Sequence, residues 1–120
     1  MIFVFGSNLR GAHGEGAALY GRQNHGAIYG QGIGLQGNSY AIPTKDARLR
    51  TLTLDEICRH AQNFMAFAAS HRHLRFQVTP IGCGLAGYTP EQIAPMFRNA
   101  PANCVLPPEF TAALAMETQP

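Results

Sequence analysis

Lys45 is the chain's one lysine, and it stands at the end of an apolar run, Tyr40-Ala41-Ile42-Pro43-Thr44. Ten of the thirteen glycines fall between Gly6 and Gly37, and the other three are Gly82, Gly84 and Gly87. Each cluster directly follows a short apolar run, residues 2–5 for the first and 76–81 for the second. Glycine after a strand lets backbone N–H groups approach a bound anion, because no Cβ intervenes. A lysine amine adds a nucleophile suited to carbonyl carbon. Two glycine loops and a lone amine at three strand ends read as a site for a nucleotide-like ligand.

Each motif has a functional and a plain structural reading. Ser7 could meet a phosphate and Asn8 a ribose or base, or the pair could form an Asx-type turn. Gly11-Ala12-His13-Gly14-Glu15-Gly16 leads into a predicted helix N-terminus, where the dipole favours an anion. Residues 32–37 and 82–87 both match G-x-G-x-x-G. The first precedes a strand instead of linking strand to helix, so it reads as a flexible ligand loop rather than a dinucleotide fingerprint. The second has a strand before it and a capped helix after it, which leaves a dinucleotide-binding reading open beside that of a tight packing turn. His13 and His25 are candidate proton carriers or ordinary loop residues. Cys83 reads as a small packing residue. A lysine acts as a nucleophile when burial or a nearby cation favours its neutral form, and Arg48 and Arg50 are close in sequence.

The elements that must position these groups follow from periodicity and caps. Residues 2–5 read as a buried strand, and 14–24 as a short helix with Ala17, Ala18 and Leu19 inward, weakened by Gly21. Residues 26–38 read as a glycine-rich loop and 39–43 as the second strand. Thr53-Leu54-Asp55-Glu56 is a capping box, and Leu54, Ile57, Cys58, Ala61, Phe64, Met65 and Ala68 follow at helical spacing to about Ser70. Residues 75–81 read as the third strand. Thr89-Pro90-Glu91-Gln92 starts a helix that Pro95 must shorten or kink. Residues 102–106 are the fourth strand, and the Ala-rich last dozen residues form a terminal helix or fray. Alternating strands and helices imply an α/β fold with an at least partly parallel sheet covered on both faces. Ligands of such sheets bind beyond the carboxyl ends of the strands, where the three motifs lie.

At 120 residues, 46% hydrophobic and 13% charged, the chain is expected to form a single domain over 1–120. Its net charge of +2 and eight scattered arginines give no basic tail, so direct nucleic-acid binding is not expected. His71-Arg72-His73-Leu74-Arg75 reads as a solvated helix–strand junction. Three cysteines without C-x-x-C spacing indicate neither a disulfide framework nor a zinc site. No signal peptide or membrane span is apparent, and a cytoplasmic setting is expected.

In order and over about residues 2–106, these pieces resemble the macro domain family of ADP-ribose binders and hydrolases. Ser7-Asn8 looks like the strand end that opens the family's ligand site. Residues 11–18 look like its first glycine-rich loop, and Ile81-Gly82-Cys83-Gly84-Leu85 like its diphosphate loop. The sequence is most similar to the branch of terminal ADP-ribose protein glycohydrolase, whose catalytic lysine sits in a Thr-Lys pair, as Thr44-Lys45 does here. That branch carries an aspartate where this chain has Ala86. The resemblance implies a three-layer α/β/α domain with a mixed, mostly parallel sheet. It implies a site for ADP-ribose or an ADP-ribosylated macromolecule formed by Ser7, Asn8, Gly14, Gly16, Thr44, residues 81–85 and Gly87. Lys45 would be the catalytic nucleophile, with Glu15 or Asp46 as acid/base, and no cofactor or metal is implied. The alternative is a non-catalytic module binding ADP-ribose or a related NAD metabolite.

Overall fold

A computed structural model describes residues 1–117. Its central strand, β1 (Ile2–Asn8), is apolar on both sides. Ile2 and Val4 join one buried cluster, Phe3 and Phe5 the other. Such a strand must be covered on both faces. β2 (Gly34–Gln36), β3 (Ser39–Lys45), β4 (Phe76–Val78) and β5 (Cys104–Val105) complete a five-stranded sheet in the order β2-β3-β1-β4-β5. β2 runs antiparallel to β3, and every other pairing is parallel. α1 (Gly16–Asn24) covers one face through Ala18. α2 (Leu54–Ala69), α3 (Pro90–Ile93) and α4 (Pro108–Glu117) cover the other, through residues such as Ile57, Phe64, Ile93 and Phe110. The result is a three-layer α/β/α arrangement. No helix among the described residues is long and apolar enough to cross a membrane.

β1 and β3 run further than expected, to Asn8 and Lys45, because pairing continues through Gly6–Ile42 and Ser7–Pro43. Pro43 has no N–H to give, and the register shifts at the neighbouring Ser7/Asn8 step. Such irregularities re-aim the side chains beyond them. β4 is shorter than expected: Thr79 folds back on Val4, its N–H at 3.1 Å and hydroxyl at 2.7 Å from the carbonyl. β5 is likewise only two residues of the expected 102–106.

α2 has both bonds of its capping box, and its buried residues are Ile57, Ala61, Phe64 and Ala68. Thr89 and Gln92 cap α3 in the same reciprocal way, and at Pro95 the chain tightens into a 3₁₀ turn, Ala94–Phe97. α4 answers to the expected terminal helix, of which residues 118–120 lie outside the described part. In α1 only Ala18 of the three residues expected inward is buried, and Ala17 is exposed. Gly21 is a packing residue: a Cβ there would lie 3.4 Å from the rings of both Phe3 and Phe5.

The reading of 32–37 as a flexible ligand loop, within a glycine-rich loop over 26–38, is corrected. The segment contains β2, and Gly26, Gly32 and Gly37 serve backbone-to-backbone approach. A Cβ on Gly32 would stand 2.1 Å from the Asn8 carbonyl oxygen, and one on Gly37 2.6 Å from that of Gly26. The Gln36 side chain, 3% exposed, staples the segment: Oε1 accepts from Ile28 N–H at 2.7 Å while Nε2 donates to the Gln31 and Gly34 carbonyls. Each of these bonds satisfies a polar group that would otherwise be costly to bury.

Candidate functional site

The carboxyl ends of β1, β3 and β4 open into a cavity of about 540 Å³. It is lined from the β1 end by Gly6, Ser7 and Asn8, from the start of α1 by Gly14, Glu15, Gly16, Ala17 and Ala18, and from the β3 end by Thr44, Lys45 and Leu49. The loop after β4 closes it with Thr79, Pro80, Ile81, Gly82, Gly84, Leu85 and Ala86. The structure therefore brings together most of the residues expected to form a site. Cys83, Gly87, Asp46, His13 and His25 are not among the lining.

The backbone supplies the donors. The N–H groups of Gly16, Ala17 and Ala18 open α1 and cannot bond within it. Glu15, the N-cap, offers no side-chain cap to them. Across the cavity, the loop's turns use the N–H groups of Ile81, Cys83, Gly87 and Tyr88. Among the described residues those of Gly82, Gly84, Leu85 and Ala86 have no protein acceptor. Two sets of unpartnered donors thus line one cavity, an arrangement that suits anionic oxygens. The loops also meet sterically: a Cβ on Gly16 would lie 3.9 Å from Leu85 Cδ1.

Two glycines of the lining are not demanded by the fold. Gly14 and Gly84 do not sit at positive φ, and a Cβ on either would meet nothing within 4 Å. Both line the cavity. Gly82 differs: it has φ +76°, and its Cβ would press on Ile93 at 3.0 Å. Gly87, at φ +88°, closes the loop's last turn onto the Gly84 carbonyl at 3.1 Å.

Ser7 and Asn8 are held by the protein rather than left free for a ligand. The Ser7 hydroxyl donates to the Gly32 carbonyl. The Asn8 amide accepts from Ala12 N–H at 3.0 Å and donates to the Ala12 carbonyl at 3.1 Å, so it shapes the loop leading to α1. Thr44 is buried, with its hydroxyl on the Ser7 carbonyl at 3.2 Å. Lys45 follows it at the strand end, half-buried, its carbonyl accepting from Leu9 N–H at 3.0 Å. Its ammonium makes no ion pair among the described residues. Lys45 and Glu15 are the charged residues of the lining.

Asp46, the other proposed acid/base, is placed elsewhere. Its carboxylate accepts from the N–H groups of Arg48 at 2.8 Å and Arg50 at 2.9 Å and lies 3.8 Å from the Arg50 guanidinium. These bonds, chiefly that from Arg50 N–H, hold its carboxyl below the usual aspartate range. Cys83 packs against the core, and burial, with Glu109 and Glu91 nearby, pushes its thiol up to about 11. His13 is fully buried, with Nε2 at 2.9 Å from the Gln31 carbonyl. Both Gln31 O and Gln36 Oε1 are acceptors there, so Nε2 carries the proton. His25 stacks on Phe3 with ring centroids 4.6 Å apart. Both histidines are structural. The helix after residues 82–87 is four residues long and already capped by Thr89, which removes the helix N-terminus that a dinucleotide fingerprint needs.

Leu49, Ala17, Ala18, Thr79 and Pro80 line the cavity without having been singled out from sequence. Ala17 and Ala18 could have been found from the glycine-to-helix junction. Leu49 carries no local signal, because a turn stapled by the side chain three residues before it brings it to the rim. Among the described residues no three His, Cys, Asp or Glu side chains come together as a metal site. Comparison with protein-family models, with curated proteins and with solved structures finds no match to the chain.

Proposed function

We propose that the cavity binds ADP-ribose or a related ADP-ribosyl group, as the resemblance to macro domains implies. The observation that carries this reading is the pair of unpartnered N–H sets, at Gly16–Ala18 and at Gly82, Gly84, Leu85 and Ala86, on residues lining a cavity that also holds the chain's one lysine. A diphosphate presents oxygens enough for both sets, and its charge is favoured by the α1 dipole and by Lys45. A volume of about 540 Å³ lies within the range of small-molecule sites.

Hydrolysis at the terminal ribose is the leading activity. The Lys45 ammonium would pass a proton to the Glu15 carboxylate, and the free amine would bond C1″ as the bond from C1″ to the acceptor oxygen breaks, with Glu15 giving that proton to the departing oxygen. Water then takes the amine's place at C1″ and restores it. The second reading, non-catalytic binding, is favoured by Ala86 and by the engagement of Asp46 in its turn.

Titration with ADP-ribose, followed by incubation with a protein ADP-ribosylated on carboxylates, tests both readings. Binding with release that is lost in Lys45→Ala supports the enzyme. Tight binding with no release sinks the catalytic reading and leaves the module. Absence of binding sinks the whole proposal.

A further inference from the structure

Leu49 breaks a backbone preference at the mouth of the cavity. It is the one non-glycine residue at positive φ among the described residues, at 63°. A bulky side chain is disfavoured there, whereas glycine or asparagine sits without strain. The turn that imposes this conformation is held by the Asp46 carboxylate on Arg48 and Arg50 N–H. The Asp46 carbonyl also accepts from Leu49 N–H at 3.0 Å. Thr51, at the turn's far end, bridges back to Lys45 and donates its hydroxyl to the Ala86 carbonyl at 3.1 Å. Leu49, Lys45 and Ala86 therefore share one wall, and all three line the cavity. At 44% exposure the leucine does not fill the core, and its backbone would be better served by another residue. Its side chain has the cavity as its one evident use.

The chemistry of that wall limits what it can receive. Leu49 and Ala86 are apolar, the Thr51 hydroxyl is engaged with Ala86, and the Asp46 carboxylate is engaged within its turn. Apart from the Lys45 ammonium, which the proposed reading gives to the terminal sugar, and the Ala86 N–H, no polar group of this wall is left to pair with a charged or strongly polar group. We infer that Leu49 is a specificity-determining residue that receives an uncharged ring carried on the anomeric carbon of the ligand's terminal sugar. This rests on the proposed reading, with that sugar at Lys45. Such a ring would lie against the leucine side chain.

Calorimetric titration with two probes tests the inference. ADP-ribose carries only a hydroxyl on that carbon, and NADH carries an uncharged dihydronicotinamide ring. Leu49→Gly and Leu49→Asn both suit φ 63°, so each should melt no lower than the wild type. Either substitution should weaken NADH tenfold or more, the scale on which a pocket senses lost apolar contact, and change ADP-ribose less than twofold. Equal losses for the two probes, no loss for either, or a wild type that binds ADP-ribose and rejects NADH would overturn the inference alone. A wild type that binds neither probe would overturn the underlying reading together with it.

Discussion

Replacing Gly84 by alanine should harm binding without harming the fold. An ordinary Gly→Ala change at a compatible φ stabilises by about 0.4–1 kcal/mol, because the unfolded chain loses freedom. Gly84 is such a position: it does not sit at positive φ, and an added Cβ meets no protein atom within 4 Å. Gly84 also lines the cavity, where its own N–H and that of Leu85 are unpartnered, so an added Cβ is expected to crowd a phosphate bound there. A hydrogen bond to a charged group is worth about 1.5–3 kcal/mol. Losing one such bond to a phosphate oxygen weakens affinity roughly 10- to 150-fold. Gly14→Ala should behave alike on the other side of the cavity. Gly11→Ala is the contrasting control, because its Cβ would lie 2.3 Å from the Gly30 carbonyl carbon at φ +75°. Thermal unfolding and ADP-ribose calorimetry on the three variants separate the effects. A Gly84→Ala protein that unfolds more easily than the wild type, or binds as tightly, would refute the reasoning that this glycine is kept for a ligand.

Two further predictions concern titrating groups. The Asp46 carboxyl is held below its usual range, so its contribution to the 46–50 turn is complete above the unfolded-state pKa. It disappears as pH falls through the lower folded-state value, and the Leu49 and Arg50 amide resonances should move together at that acidic pH and not before. Cys83 and Cys104 have thiols pushed up to about 11 by burial. At pH 8 both should alkylate far more slowly in the native protein than after denaturation, as read by mass spectrometry, and ADP-ribose should leave the Cys104 rate unchanged.

The sequence was most legible where local chemistry decides the structure. The Thr53 and Thr89 caps, the apolar face of α2 and the break at Pro95 each depend on neighbours within four residues, and each stands as expected. The two-sided apolarity of β1 likewise forces a covered sheet, whatever the loops do. Residues 26–38 misled because glycine has two uses. It admits a ligand to the backbone, or it admits another backbone, and composition cannot tell Gly84 from Gly32. The candidate site was legible as strand ends, since parallel strands carry their final residues to one edge. The roles of individual polar side chains were not. Asn8 and Asp46 have the right chemistry for a ligand or a proton, yet each is engaged by N–H groups within four residues of it. Leu49 was invisible because its importance lies in a backbone angle rather than in its residue type.

Ala86 gives the sharpest way to separate the binding and catalytic readings. Its side chain is on the lining, half-buried, and its carbonyl is already fixed by the Thr51 hydroxyl. Ala86→Asp would therefore add a carboxylate to the wall of Lys45 without altering the loop's anchorage. If Lys45 attacks the terminal sugar and Glu15 is a poor proton donor, the new carboxylate should raise the turnover rate on an ADP-ribosylated carboxylate substrate. General acid/base assistance is typically worth about 10²–10⁴-fold when well placed, so even imperfect placement should be measurable. The same charge lies close to the site proposed for a diphosphate. At about 7 Å and an effective dielectric of about 40 it would oppose the two charges of the diphosphate by about 2 kcal/mol, a weakening of roughly 30-fold. The signature of a catalytic site is thus opposite movement, with kcat up and affinity down. A variant that binds ADP-ribose more weakly and still releases nothing would show that the chain lacks more than one carboxylate, and would favour the binding module.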